Sequence, residues 1–281
     1  MEIPSRLAAI HDRMESACRR AGRPRAAVTL VAVTKTRTVE EMASAVEAGV
    51  TDLGENRVQE AEAKYPSLAS LETRDGSPPR WHLVGHLQKN KVKKAVALFD
   101  RIHSLDSVEL GHKIDRAAEE IGKVQPVLVQ VDLASEPTKF GLPEKELLPT
   151  LENLTGLRRL RVDGLMVLPP FVPDPEAVRP YFRRLRELGA EAFGRGLAGR
   201  ELSMGMSHDF EVAIEEGATF IRVGTALFGP REQRGPEGPI LPERGARGAS
   251  EREPSARAQG AARRSERASG GEGRERGESA H

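Results

Sequence analysis

A lysine that follows a short apolar segment is the residue of this chain best suited to covalent chemistry. Lys35 comes directly after residues 28–34, which read VTLVAVT and have the composition of a strand. Because side chains alternate along a strand, Val31, Val33 and Lys35 should share one face. A lysine that is partly removed from water has a lowered pKa and can attack an aldehyde to form a Schiff base. The alternative is a solvated lysine at the end of a strand.

Two segments rich in glycine and hydroxyl groups could bind a phosphate. Residues 222–229 span the end of the last predicted strand and the turn after it; Gly224 would let a ligand approach the backbone, and Thr225 would add an N–H and a hydroxyl. Residues 203–207, SMGMS, precede a predicted helix, and helix N-termini favour phosphate. In (β/α)₈ barrels the loops after strands 7 and 8 often form such a site. The alternative is two ordinary turns with a helix cap.

Two further polar residues lie at strand positions where a ligand could need them. Arg222 lies inside a predicted strand, where a guanidinium must be paired or meet a ligand. Its partner could be a cofactor ring nitrogen or a carboxylate such as Asp132. Asn56 follows the second predicted strand, so it could donate to a ligand oxygen or cap the next helix.

The histidines do not indicate a metal site. His82 and His86 are spaced like a pair of metal ligands, but their segment, WHLVGH, contains no acidic residue or cysteine. Packing or hydrogen bonding at the rim of the sheet explains them better. His103 is assigned no role.

Short apolar segments alternate with amphipathic segments through the first 230 residues. Eight segments resemble strands: 28–34, 50–54, 81–85, 101–105, 126–132, 161–167, 201–205 and 219–224. Helical periodicity marks 3–21, 38–48, 56–65, 88–98, 107–121, 143–153, 175–195 and 207–216. This alternation predicts an α/β protein with a parallel sheet, and eight units favour a closed (β/α)₈ TIM barrel over a doubly wound open sheet.

Several residues mark the ends of the predicted helices. Thr38, with Glu41 three residues later, has the pattern of a capping box. Ser207 can cap the helix that follows it. Gly49 and Gly217 each end an amphipathic segment and suit the left-handed position that terminates a helix.

The C-terminal segment differs in composition from the rest of the chain. Residues 231–281 contain 11 Arg and 9 Glu, with no Lys and no aromatic residue. Such a segment cannot bury enough apolar surface to offset its chain entropy, so we predict a disordered tail at 231–281 after one barrel domain, 1–230. With a net charge of +2 in the tail and +1 overall, the barrel is close to −1. That balance argues against a nucleic-acid surface.

Location and disulfide content follow from what the sequence lacks. The N-terminal segment has acidic residues and no long apolar core, so it does not resemble a secretory signal. No segment approaches the ~20 apolar residues of a membrane-spanning helix. Cys18 is the single cysteine, which excludes an internal disulfide. We expect a cytoplasmic protein with no membrane association.

Seven segments, in order along the chain, resemble one family. They are VAVTKT around Lys35, DLGENRVQEAEAK (52–64), WHLVGHLQKNKVK (81–93), VQVDLASEPTKFG (129–141), GLMVLPP (164–170), LSMGMSHDFEVAI (202–214) and IRVGTALFGPR (221–231). Together they resemble the pyridoxal phosphate homeostasis protein family. The resemblance implies a single barrel similar to the N-terminal domain of alanine racemase, with pyridoxal 5′-phosphate (PLP) as the cofactor.

The same resemblance assigns residues to the cofactor. Lys35 would form an internal aldimine with PLP, and Arg222 would face the pyridine nitrogen and disfavour its protonation. Gly224 and Thr225 would hold the phosphate together with a serine, for which Ser203 and Ser207 are both open. The other implied residues are Asn56 and Met204 along the ring, and His82 and Met166 near the rim.

Three functions are compatible with these residues. The resemblance implies a PLP carrier that supplies PLP to dependent apoenzymes without strong catalysis, and we expect it to be a monomer with no catalytic residues and no metal. A PLP-dependent racemase is the alternative, and it needs an acid/base on each face of the cofactor. In alanine racemase one base is a tyrosine from a second, β-rich domain, whereas Tyr65 and Tyr181 lie in helical segments here and we expect no β-rich domain after residue 231. A third possibility is an aldolase-like barrel that uses Lys35 on a sugar phosphate.

Overall fold

Parallel strands close into a barrel at the centre of the protein. The computed structural model describes residues 2–134 and 140–230, so the tail predicted at 231–281 lies outside the described residues. The strands are β1 (Thr29–Val33), β2 (Asp52–Glu55), β3 (Arg80–Leu83), β4 (Arg101–Leu105), β5 (Gln125–Asp132), β6 (Leu142–Pro143), β7 (Leu160–Val167), β8 (Glu201–Met206) and β9 (Phe220–Val223). They pair in the order β4-β3-β2-β1-β9-β8-β7-β5, and pairing of β4 with β5 closes the ring. The predicted barrel of eight parallel strands is confirmed.

Helices surround the barrel and follow the strands in sequence. They are α1 (Ile3–Arg20), α2 (Val39–Ala48), α3 (Val58–Leu68), α4 (Val92–Leu98), α5 (Val108–Glu120), α6 (Leu147–Leu154), α7 (Arg179–Gly194), α8 (Phe210–Glu215) and α9 (Thr225–Phe228). The sequence did not predict β6, which pairs with β5, or the short helix α9. Both elements are too short to produce a hydrophobic period. Within the two described stretches, no helix combines the length and the apolar character that crossing a membrane requires.

The core has two layers, because a barrel strand presents alternate side chains to its inside and its outside. A large outer cluster lies between strands and helices and includes Ile221 and Val223. A smaller inner cluster consists of Val31, Val84, Leu128, Met166 and Phe220, with Val33 and Leu168 packed against it. Val31 and Val33 therefore face the barrel interior, as the alternation in β1 predicted.

The predicted helix ends are confirmed at three positions and wrong at one. Thr38 accepts the backbone N–H of Glu41, whose carboxylate accepts the backbone N–H of Thr38, so the capping box is complete. Gly49 and Gly217 adopt φ of 117° and 106°, in the left-handed region. Ser207, however, does not cap the helix that follows it: α8 begins at Phe210, with Asp209 as its N-cap residue.

Candidate functional site

Lys35 lies at the carboxyl end of the barrel, beside the end of β9. Strand β1 ends at Val33, so Lys35 occupies the turn after the strand and is half-buried; the sequence had placed it at the end of the strand itself. A Cβ added to Gly224 would lie 3.5 Å from the carbonyl oxygen of Val33. The turn that carries Lys35 is therefore adjacent to the turn after β9.

The turn at Lys35 is held by a buried lysine on α3. Lys64 Nζ donates to the carbonyl oxygen of Thr34 at 2.9 Å, to Glu55 Oε1 at 2.8 Å and to Glu60 Oε1 at 2.7 Å. The Thr34 hydroxyl donates to Glu55 Oε1 at 2.7 Å. These bonds hold Thr34, the residue before Lys35, on the side that faces α3.

The residue after Lys35 has a strained backbone. Thr36 adopts a φ of 63°, and it is the single non-glycine residue with positive φ in the described part of the chain. A β-branched residue in this region costs roughly 1–2 kcal/mol and persists only where the surroundings impose it. Its backbone N–H donates to Glu60 Oε1, the same oxygen that accepts from Lys64. The carboxylate of Glu60 thus contributes to this constraint.

Glu55 is the electrostatic centre of the cluster around Lys64. Burial raises the pKa of Glu55, although hydrogen bonds from Lys64 and Thr34 act in the opposite direction. Its Oε2 atom is buried and has no hydrogen-bond partner among the described residues. The cluster therefore depends on Lys64 for its balance of charge.

Arg222 lies inside the barrel, on β9. Its Nη1 donates to Ser203 Oγ at 2.6 Å and its Nη2 donates to the carbonyl oxygen of Val167 at 2.8 Å. Burial lowers the pKa of Arg222 to about 10, and the charge of Asp209 partly offsets this. The side chain therefore remains a cation at neutral pH. The suggested partner Asp132 is wrong: its carboxylate accepts the backbone N–H of Ala134, and no ion pair to Arg222 occurs among the described residues.

The two candidate serines have different surroundings. The Ser207 hydroxyl accepts the backbone N–H groups of Gly224 and Ala226 at 3.1 and 3.2 Å, which joins the turns after β8 and β9. Ser203 is fully buried and binds Arg222. Thr225 is exposed at the same end of the barrel as Ser207.

A line of polar side chains crosses the barrel interior. The Ser203 Oγ lies 2.9 Å from His103 Nδ1, His103 Nε2 lies 2.9 Å from His82 Nδ1, and His82 Nε2 lies 2.8 Å from Asp52 Oδ1. The expected rim position of His82 is wrong, because this residue is 2% exposed and lies within the barrel. His103, for which no role was predicted, joins His82 to Ser203.

The other predicted residues lie in different parts of the barrel. Met166 belongs to the inner cluster rather than the rim. Met204 belongs to the outer cluster, a position that does not favour contact with a ligand inside the barrel. Asn56 follows β2 and is half-buried, but Arg57 is the N-cap residue of α3, so the capping interpretation of Asn56 is wrong. The backbone of Asn56 lies against Gly85, where an added Cβ would be 2.3 Å from the Asn56 carbonyl oxygen.

Sequence reasoning missed the side chains that support Lys35 and Arg222. Glu55, Glu60 and Lys64 support the turn at Lys35. Asp52 and His103 belong to the polar line that reaches Arg222. One signal was present: Glu60 and Lys64 have the i, i+4 spacing of a helical ion pair. Nothing in the local pattern of His103 indicates its contacts.

Comparison with known proteins identifies relatives over the whole barrel. Residues 5–232 match the family described as alanine racemase, N-terminal domain. The pyridoxal phosphate homeostasis protein of Aquifex aeolicus (strain VF5) is 43% identical over 233 residues, which are 83% of this chain and 100% of that protein.

Solved structures share the fold. PipY of Synechococcus elongatus PCC7942, solved with PLP bound, is 39% identical, with a TM-score of 0.70 over 81% of this chain and 100% of that one. D-threo-3-hydroxyaspartate dehydratase from Delftia sp. HT23 has a TM-score of 0.58 at 20% identity, covering 79% of this chain and 59% of that one. This second likeness concerns the fold alone.

Proposed function

The chain belongs to the pyridoxal phosphate homeostasis protein family, and from that membership we propose that it binds PLP at the carboxyl ends of β1, β8 and β9 and acts in PLP homeostasis. The observation that carries the proposal is that neighbouring strand ends at this end of the barrel bear three suitable groups. They are Lys35 in the turn after β1, the buried guanidinium of Arg222 on β9, and the hydroxyl of Ser207, which accepts the backbone N–H groups of Gly224 and Ala226.

The groups in the barrel fit the functional groups of PLP. PLP supplies an aldehyde and an electron-withdrawing ring when it is bound. Lys35 offers an amine to the aldehyde, and Arg222 offers a guanidinium that is paired with no carboxylate among the described residues. Gly224 leaves space beside Val33 that a side chain would fill. The residues are therefore compatible with this cofactor.

We assign the phosphate to Ser207, Gly224 and Thr225. Ser207 already links the turns after β8 and β9, whereas the Ser203 hydroxyl is engaged by Arg222 and His103. Ser203 would then act on the cofactor through Arg222. The assignment of Asn56 to the ring stays a prediction.

We further propose that the protein is a carrier with no strong catalytic activity. A two-base racemase needs a second acid/base beside the cofactor. Tyr65 lies on α3 and packs against Trp81, with ring centroids 5.5 Å apart, and Tyr181 lies on α7 against the outer cluster. Neither tyrosine belongs to the inner cluster. A cytoplasmic location, a monomeric state and transfer of PLP to dependent apoenzymes stay predictions.

The test is covalent capture of PLP at Lys35. Purified protein is mixed with PLP, reduced with borohydride and digested, and the modified peptide is identified by mass spectrometry. We expect a visible absorbance band that disappears on reduction and a modified peptide containing Lys35. Lys35→Ala should lose both signals, whereas Lys113→Ala, which alters a partly exposed lysine on α5, should keep them. A wild-type protein that stays colourless with PLP would refute the assignment and favour a sugar-phosphate barrel.

A further inference from the structure

A continuous hydrogen-bonded chain joins Arg222 to the opposite end of the barrel. It runs from Arg222 through Ser203, His103 and His82 to Asp52, with contacts of 2.6, 2.9, 2.9 and 2.8 Å. Arg80 then binds both Asp52 carboxylate oxygens at 2.8 Å. The four residues from Ser203 to Asp52 are at most 2% exposed, so water does not replace these bonds.

When each imidazole carries a single proton, the donors of this chain can be arranged in one direction only. The Asp52 carboxylate can only accept and the Arg222 guanidinium can only donate, so Ser203 Oγ accepts from Arg222 and gives its single proton to His103 Nδ1. His103 must then carry its proton on Nε2 and donate it to His82 Nδ1. His82 in turn donates from Nε2 to Asp52. Every proton is thus directed away from Arg222.

The two ends of the chain are charged, and His103 at its middle is neutral. Burial lowers the pKa of His103 well below its ordinary value, and the charges of His82, Arg222 and Arg101 add to this effect. Burial alone would raise the pKa of Asp52, but hydrogen bonds from His82 and Arg80 hold it well below the ordinary value. Asp52 is therefore an anion, and His103 is neutral.

A direct ion pair would also orient Arg222, but it would neutralise the guanidinium locally. Here Ser203, His103 and His82 lie between Arg222 and the carboxylate of Asp52. That carboxylate is already bound by Arg80. Coulomb attraction falls with distance, so little of the Asp52 charge acts on Arg222. The arrangement fixes the geometry of the guanidinium while leaving its charge available to a ligand.

We propose that Ser203, His103, His82 and Asp52 are positioning residues that hold Arg222, as a cation without a directly bound carboxylate, against the ring nitrogen of PLP. The inference rests on the proposed function for its ligand. The direction of the hydrogen bonds does not depend on the ligand, so the hydrogen-bonded chain and the binding of PLP can be tested separately.

The first test measures the histidine tautomers in cofactor-free protein. Long-range ¹⁵N–¹H NMR distinguishes the two ring nitrogens, and His103→Gln assigns the signals. At pH 7.5 we expect His103 to be neutral with its proton on Nε2, and His82 to donate from Nε2. A proton on Nδ1 of either ring, or a charged ring at His103, would overturn the proposed chain.

The second test measures PLP affinity and the visible spectrum of the bound cofactor. Ser203→Ala should weaken PLP binding about tenfold, because Arg222 loses a charge-assisted hydrogen bond, and should shift the absorbance band. The matched control is Ser104→Ala, which removes an equally buried hydroxyl on β4 whose partner is the Gly85 carbonyl oxygen. This control should keep the wild-type affinity and spectrum.

A third comparison separates positioning from simple packing. His103→Gln retains a donor and an acceptor and should preserve more affinity than His103→Leu, provided that both variants unfold cooperatively. Wild-type affinity and an unshifted spectrum in Ser203→Ala would overturn the role of the chain at the cofactor. Failure of the wild-type protein to bind PLP would instead overturn the proposed function, and with it the ligand of this inference, whatever the tautomers are.

Discussion

Replacing Lys64 with methionine should destabilise the barrel, because it leaves a buried carboxylate without its cation. Lys64 Nζ lies 2.8 Å from Glu55 Oε1, and the two side chains are 11% and 0% exposed. Removing one partner of a buried ion pair costs about 3 to 5 kcal/mol. The bond to Glu60 adds little, because that carboxylate is partly exposed. We therefore expect the free energy of unfolding at pH 7 to fall by about 3 kcal/mol, which is the lower end of that range.

The loss should become smaller at lower pH. Burial already raises the pKa of Glu55, and removal of the Lys64 charge raises it further. A carboxyl group with a folded pKa above its unfolded value binds more protons in the native state, so stability falls as pH rises between the two values. The variant should thus recover part of the difference from wild type as pH is lowered towards the ordinary value of 4.5.

Urea unfolding at pH 7 and pH 5 measures both effects. Lys94→Met is a matched control, since this lysine is 56% exposed and lies 2.7 Å from Glu62; its loss should be below about 1 kcal/mol. Adding Glu55→Gln to Lys64→Met should restore much of the stability, because no buried charge remains. The reasoning is refuted if Lys64→Met costs no more than Lys94→Met, or if Glu55→Gln does not reduce its cost.

Two further perturbations test the packing and the protonation of the barrel. Gly85→Ala should lower the free energy of unfolding by about 1 to 3 kcal/mol through overpacking, because its Cβ would lie 2.3 Å from the Asn56 carbonyl oxygen. Gly156→Ala, which has no atom within 4 Å of the added Cβ, is the control, and equal urea midpoints for the two would contradict this account. His103 has a folded pKa below its ordinary value of 6.5, so the unfolded chain binds a proton that the native state does not. The free energy of unfolding should therefore fall as pH drops below 6.5, by at most about 1.4 kcal/mol per pH unit. Urea unfolding at pH 7.5 and 5.5 should show a smaller pH dependence of stability in His103→Gln than in the wild type. An identical pH dependence in the two proteins would exclude a neutral buried His103.

The amino-acid sequence by itself determined the architecture, because its signals are local. Each strand and crossover helix has a hydrophobic period that depends on neighbouring residues, and eight such units in parallel favour a closed barrel. The same local alternation put Val31 and Val33 on one shared face, which the structure shows to be the interior. The capping box at Thr38 was predictable for the same reason, since its two hydrogen bonds span three residues. Among the strands and α-helices of the described residues, β6 and α9 were missed, because both are too short to show a period.

The tertiary structure alone decided which polar side chains meet. His103 and Ser203 are 100 residues apart in sequence, and their contact exists because β4 and β8 direct both side chains into one closed interior. Ser207 has the sequence of a helix cap, yet its hydroxyl binds N–H groups of the turn after β9. A buried polar group binds whatever partner the folded interior brings within about 3 Å. Local sequence can therefore indicate that Arg222 needs a partner, but only the closed barrel selects Ser203.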